Sequence, residues 1–160
     1  MDKAIFTDKI LEVQNTLYHV SKTILNSDAE CEDAVQEAIL IAYEKIGTLR
    51  QEEYFKTWVT RILINECYKI QKKRINSLQY EEYFKDEPIK ESENYNELYI
   101  SISKLPVKIR ITIVLHYIEG YSVKEVANTL KIPSGTVKSR LAKGRRLLKH
   151  DLENMEVAYA

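Results

Sequence analysis

The sequence predicts an all-α fold of two small helical domains joined by an acidic linker, and three observations carry that prediction. Apolar residues recur at steps of three and four, while no segment alternates with period two for long. Glycine and proline are scarce, four and three in 160 residues, and most fall where helical runs should stop. Charge is sorted along the chain: residues 1–74 carry 11 basic and 12 acidic side chains, 75–103 carry 2 and 7, and 104–160 carry 11 and 5. The formal net charge of zero therefore hides a basic C-terminal third behind an acidic middle. A basic third points to a polyanionic partner.

The first helix is predicted from about 4 to 25, because Phe6, Ile10, Val13, Leu17, Val20 and Ile24 form one stripe. Ser27 opens a second helix, with Glu30 three residues on completing a capping box. It should end near Gly47, read as a helix-terminating glycine. A third helix is expected from about Tyr54 to Arg74, burying Phe55, Trp58, Val59, Ile62, Leu63 and Ile70. The stretch from Glu81 to Pro88 is acidic, with isolated aromatics, and reads as linker. Further helices are predicted near 95–104, 107–119, 123–130 and 135–152.

Composition excludes several classes. With 44% apolar and 30% charged residues the chain can build cores and stay in solution. The longest unbroken apolar run, Ala38 to Tyr43, is six residues, against about 20 for a bilayer span. The N-terminal Met1-Asp2-Lys3-Ala4 has no apolar targeting segment, so a cytoplasmic location is expected. Cys31 and Cys67 form no CxxC and no disulfide framework, and read as small core residues. His19, His116 and His150 are scattered without metal spacing, and no P-loop or nucleophile–base constellation is present. We therefore expect no enzyme activity, no metal, no cofactor and no small-molecule substrate.

The strongest motif runs from Gly120 to Leu141 and reads as a helix-turn-helix. Ser122 and Glu125 form a capping box, Val126 and Leu130 face a core, and Ala127 is small enough for a close crossing. Lys131-Ile132-Pro133 is the turn, because a proline disfavours helix at the residue before it. Ser134 reads as the N-cap of the second helix, on which Val137, Leu141, Leu148 and Leu152 face inward. Thr136, Ser139, Arg140 and Lys143 share the outer face, flanked by Lys138, Arg145, Arg146 and Lys149. In this motif the start of the second helix enters the major groove. Hydroxyls and an arginine read base edges there, and the flanking cations hold phosphates.

The front unit has two faces of its own. On the second helix Glu30, Asp33, Glu37, Leu40 and Glu44 share a side opposite Ala34, Val35, Ala38 and Ala42, with Gln36 beside them. A leucine ringed by acids suits a protein contact surface, and by spacing alone it suits a solvated face equally well. On the third helix Arg61, Asn65, Lys69 and Lys72 step by four, four and three, and Lys73 and Arg74 extend the row. An amide among cations can read a base and hold a backbone.

Taken together, these motifs resemble the extracytoplasmic-function (ECF) group of the sigma-70 family of bacterial RNA polymerase sigma factors. The run from Asp28 to Glu37 resembles region 2.1–2.2; Phe55 to Asn65 followed by Lys72-Lys73-Arg74 resembles regions 2.3–2.4; Leu105 to Leu152 resembles region 4. The resemblance implies a domain of sigma region 2 at 1–75, a linker at 76–103 and a region 4 helix-turn-helix domain at 104–160. It implies that Asp28, Glu30, Asp33, Gln36, Glu37 and Leu40 bind the β′ clamp helices of core RNA polymerase. Arg61, Asn65, Lys69, Lys72, Lys73 and Arg74 would face the −10 element of promoter DNA. Ser134, Thr136, Lys138, Ser139, Arg140, Lys143 and Arg146 would face the −35 element, with region 4 docked on the β flap. The linker either mimics RNA in the exit path or is a plain spacer. A membrane-linked anti-sigma factor is an implied partner, and the free chain is expected to be a monomer. The loop before Phe55 departs from the family in its acidic end, Glu52-Glu53. Gly144 sits where alanine is also usual, at an expected cost of about 1 kcal/mol in a helix interior. The alternative is a stand-alone dimeric helix-turn-helix transcriptional regulator, which leaves the Leu40 and Asn65 faces unexplained.

Overall fold

The computed structural model describes residues 1–77 and 97–159. Among these residues it shows seven α-helices and no strand, as the periodicity predicts. The chain divides into two compact units, residues 1–88 and 89–160. The linker motif from Glu81 to Pro88 lies outside the described residues.

The first unit is a bundle of α1 (Lys3–Lys22), α2 (Asp28–Glu44) and α3 (Phe55–Ser77), each packed on the other two. Asp2 caps α1 by accepting from the Ile5 N–H at 2.9 Å. The predicted stripe of α1 is buried through Val20. The helix stops short of residue 25 because its last turn tightens: the Thr23 and Ile24 N–H groups bond three residues back, to Val20 and Ser21. The Ser21 and Thr23 hydroxyls donate to the Tyr18 and Val20 carbonyls at 2.6 Å. Ile24 stays in the core beyond the helix end.

Ser27 caps α2 from the expected side, its Oγ accepting from the Glu30 N–H at 3.3 Å, but the reciprocal arm of the predicted capping box is not made, because the Glu30 carboxylate turns to Arg74 instead. The buried row of α2 is Cys31, Ala34, Ala38 and Ala42, four small residues that let α1 and α3 close in. The helix ends at Glu44, and Gly47 lies in a short 3-10 turn (Ile46–Thr48) rather than in a left-handed cap. A second 3-10 turn, Glu52–Tyr54, leads into α3. Phe55, Val59 and Leu63 are buried as expected, and Ile64 and Cys67 join them. Trp58 is only half-buried, tilted against Phe55 at a ring separation of 6.0 Å.

The second unit is built on its last helix. α4 (Glu97–Ser103), α5 (Val107–Ile113) and α6 (Val123–Leu130) all pack on α7 (Ser134–Tyr159). α4 forms within the helix predicted near 95–104, inside the 76–103 stretch assigned to the linker, and it is anchored: Ser101 Oγ donates to Asp151 at 2.5 Å and Lys104 pairs with Asp151 at 3.6 Å. The compact unit therefore includes part of 76–103. α5 runs directly into a π-helical turn, Val114–Ile118, closed by Glu119 N–H to Val114 O at 2.9 Å. The extra residue in that turn is followed by Gly120 at φ +77°, and it leaves Tyr117 and Ile118 exposed.

The helix-turn-helix is formed by α6 and α7. Both arms of the Ser122–Glu125 capping box are made, each at 3.0 Å. The turn passes through Lys131 in the left-handed region, φ 53°, with Ile132 N–H reaching back to Ala127 O at 3.1 Å. Pro133, not Ser134, takes the N-cap position: its carbonyl accepts from Val137 N–H at 3.2 Å, and Ser134 is already helical. Val137 and Leu141 are buried, while Leu148 and Leu152 are half-buried.

Gly144 is a steric requirement of this unit. A Cβ there would lie 2.6 Å from Ile113 Cδ1 and 2.7 Å from its Cγ1. Ile113 is buried at 1% exposure and has nowhere to turn. Gly144→Val should therefore destabilise the second unit by about 1–3 kcal/mol, the usual range for overpacking, seen as a lower melting temperature in helical circular dichroism. A second expectation concerns Cys67, whose thiol burial pushes up from 9.0 to about 12. The unfolded chain ionises this thiol first, so the associated stability is complete below about pH 9 and is lost as pH rises towards 12. Denaturant titrations from pH 8 to 11 should show a shallower alkaline loss in Cys67→Ala than in the unaltered chain.

Candidate functional site

The seam between α2 and α3 brings the two faces of the first unit together. The helices run antiparallel: the start of α2 meets the end of α3 where Arg74 Nη1 donates to Glu30 Oε1 at 3.1 Å. The other end of the seam opens into a groove of ≈ 470 Å³. Ile41 and Lys45 of α2 line it with Ile62, Asn65, Glu66, Tyr68, Lys69 and Lys72 of α3. Acidic α2 and basic α3 thus share an edge.

The polymerase-facing candidates divide into two groups. Asp28 accepts from Tyr18 Oη at 3.2 Å and pairs with Lys22 at 2.6 Å, tying the α1–α2 corner. Glu30 holds Arg74, and both side chains are about three-quarters buried. Both carboxylates are thus paired within the unit, Glu30 mostly covered and Asp28 still 69% exposed. Asp33, Gln36, Glu37 and Leu40 remain on the outside, and Leu40 is 52% exposed. Tyr43 extends this face, exposed on one side and edge-on to Phe6 at 5.4 Å on the other.

The α3 candidates divide as well. Asn65, Lys69 and Lys72 converge on the groove, whereas Arg61 is half-buried, Lys73 is exposed outside its lining, and Arg74 is committed to Glu30. Glu66, in the groove lining, is 8% exposed and was not a candidate from sequence. Its Oε1 accepts from Lys69 Nζ at 2.8 Å. That hydrogen bond, with the added field of Glu37, holds the Lys69 ammonium above its ordinary range. The signal for Glu66 was its position four residues after Ile62, on the edge that α2 covers.

In the second unit all seven candidates lie on the first four turns of α7. Ser134, Lys138, Ser139, Lys143 and Arg146 are exposed, and Thr136 and Arg140 are half-buried at their bases. Ser139 Oγ donates to Gly135 O at 3.0 Å. Arg145, expected to meet phosphate, donates instead to Tyr117 Oη at 2.8 Å. The π-helical turn is what presents Tyr117 to it, a feature without a sequence signal. Among the described residues no group of three or more His, Cys, Asp or Glu could hold a metal. No described helix is long and apolar enough to cross a membrane.

Comparison with known proteins matches both units. Residues 10–74 match the family model described as Sigma-70 region 2, and residues 95–148 match Sigma-70, region 4. The ECF RNA polymerase sigma factor SigW of Bacillus subtilis is 31% identical, covering 96% of this chain and 92% of the relative. The ECF RNA polymerase sigma factor SigM of Mycobacterium tuberculosis is 26% identical, covering 92% and 76%. Among solved structures, the sigma factor RpoE in complex with the anti-sigma factor NepR from Bartonella quintana aligns with TM-score 0.79 at 24% identity, covering 92% of this chain and 96% of that one. CnrH in complex with the cytosolic domain of CnrY aligns with TM-score 0.70 at 18% identity, covering 96% and 90%.

The Glu30–Arg74 pair generates a prediction. Glu30→Gln and Arg74→Ala should each lower the stability of the first unit, and the double variant should lose less than the sum. A coupling of about 0.5–3 kcal/mol is expected for two residues in one bridge, read from a denaturant double-mutant cycle.

Proposed function

This chain belongs to the sigma-70 family as an ECF RNA polymerase sigma factor, directing core polymerase to specific promoters and initiating transcription, and we propose how its faces divide that work. The observation that carries the division is that each unit exposes one cation-bearing helix face, α3 in the first and α7 in the second. Asp33, Gln36, Glu37 and Leu40 dock on the β′ clamp helices, with Asp28 and Glu30 holding the helix that carries them. The apolar centre and charged surround of this patch suit an interface whose core is desolvated and whose rim stays wet.

On α7, Arg140 reads base edges of the −35 element, with Ser134, Thr136 and Ser139 beside it, while Lys138, Lys143 and Arg146 hold phosphates. On α3, Asn65 reads the −10 element from the groove, and Lys69 and Lys72 hold its backbone. Arg61, Lys73 and Arg74 contribute positive field along the same helix. The second unit also docks on the β flap. The polymerase performs the chemistry, so this chain is not itself an enzyme. A membrane-linked anti-sigma factor masks the DNA faces of a monomeric, cytoplasmic chain; an anti-sigma partner is supported by the RpoE structure, whose fold this chain shares and which is a complex with the anti-sigma factor NepR.

The test is in vitro transcription by reconstituted holoenzyme on a promoter library with each element varied. Arg140→Ala should relax preference at one or two −35 positions, by about 1–3 kcal/mol per lost bidentate contact. Lys149→Ala, further along α7, should weaken all promoters alike and lower the salt slope by about one unit. Asn65→Ala should change −10 discrimination alone. A −10 shift from Arg140→Ala, or a −35 shift from Asn65→Ala, would reverse the mapping.

A further inference from the structure

One turn of the second unit is built in a way that helix packing alone does not require. In the π-helical turn Val114–Ile118 the Glu119 N–H reaches five residues back, to Val114 O at 2.9 Å. In an uninterrupted α-helix Tyr117, four residues after buried Ile113 and eight after buried Ile109, would share their face. The added residue swings it out to 52% exposure. Single π turns inside helices occur frequently at functional sites. This one is fixed at its far end by Tyr121, which is 1% exposed. The Tyr121 N–H donates to Leu115 O at 2.9 Å, and its carbonyl accepts from His116 Nδ1 at 2.7 Å. The His116 ring in turn stands edge-on to the Tyr117 ring at 4.8 Å.

The exposed phenol meets Arg145, whose Nη1 donates to Tyr117 Oη at 2.8 Å. A guanidinium has five N–H donors in a rigid fork, and this bond uses one. The partner is a hydroxyl, so it orients the cation without neutralising it. Arg74 is the contrast, since its partner is the Glu30 carboxylate. Arg145 also stands in a row. Lys138, Arg145 and Lys149, spaced seven and four, share one flank of α7 beside the face of Thr136, Ser139, Arg140 and Lys143, and all three are exposed. An exposed arginine loses rotamer freedom when it binds a partner. With its head held by Tyr117, part of that loss is incurred on folding instead.

We propose that Tyr117 is a positioning residue for promoter binding: from the π-helical turn it holds the Arg145 guanidinium ready for a phosphate of the −35 duplex. The inference rests on the reading of α7 as the −35-facing helix. Phosphate contacts fix register and carry no base information directly. Tyr117 therefore sets affinity and leaves the choice of −35 sequence to Arg140 and its neighbours.

The test uses full-length chain assembled with core polymerase, and measures promoter affinity across a salt series for Tyr117→Phe, Arg145→Ala and the double variant. Arg145→Ala should weaken binding and lower the salt slope by about one unit. Tyr117→Phe keeps the ring and removes only the hydroxyl. It should weaken binding about two- to tenfold, what one hydrogen bond typically supplies net, with the slope unchanged. In the Arg145→Ala background it should have no further effect, and neither variant should alter the −35 base profile. Equal weakening by Tyr117→Phe in both backgrounds would mean that the hydroxyl acts only on the turn, and overturns the proposal. Tighter binding by Tyr117→Phe also overturns it, making Tyr117 a latch that withholds Arg145. If Tyr117→Phe changes nothing while Arg145→Ala lowers the slope, the positioning role is wrong and the α7 reading stands. If Lys138→Ala, Arg140→Ala and Arg145→Ala all leave promoter binding unchanged, both are overturned. If Tyr117→Phe or Arg145→Ala weakens assembly with core polymerase, the pair is a protein contact and the proposal is wrong.

Discussion

The packing of α2 on α3 through a row of small residues is the constraint on which the front unit depends. Cys31, Ala34, Ala38 and Ala42 are fully buried, and their size lets an acidic helix and a basic helix run side by side. Interiors are close-packed, so a larger residue in this row would push the helices apart and spread the seam. With the seam closed, Glu30 reaches Arg74 and Glu37 lies within the field of Lys69. Charge that would repel within each helix is compensated between them. The acidic face of α2 and the basic face of α3 are therefore adjacent parts of one charge arrangement rather than two separate patches.

The back unit solves a different problem, presenting one helix to DNA while burying enough of it to stay folded. α7 is 26 residues long, which at 1.5 Å per residue spans about 39 Å. Its first turns carry the exposed hydroxyls and cations, while Asp151 further along fixes α4. Gly144 lies between these two stretches, where Ile113 of α5 presses against the helix backbone. The same glycine that weakens helix propensity lets α5 set the direction in which the reading end projects.

Much of this was legible in the residues because its physics is local. Stripes of apolar residues marked the buried faces, Ser27 and Ser122 marked helix starts, and Lys131-Ile132-Pro133 marked the turn. What stayed hidden depends on partners distant in sequence. Asp28, Glu30 and Arg74 are charged surface residues by composition, and only the 44-residue separation closed by the fold makes Glu30 and Arg74 a bridge. The π-helical turn leaves no mark in the periodicity, yet it brings Tyr117 to Arg145. Glu66 is a carboxylate by type, and only its place between Ile62 and Ile70 at helical spacing hints at its burial. Within the candidate surfaces, the predicted helices form, and the fold pairs some of their charged side chains internally, Glu30 with Arg74 and Asp28 with Lys22.

The central claim is that the two sides of the α2–α3 seam face different partners. Site-specific photocrosslinking in the promoter-bound holoenzyme tests it most directly, with the crosslinker placed at position 40 on α2 or at position 72 on α3. The account predicts that position 40 captures a polymerase subunit and position 72 captures non-template DNA of the −10 element. Capture of DNA from position 40, or of polymerase alone from position 72, would contradict it.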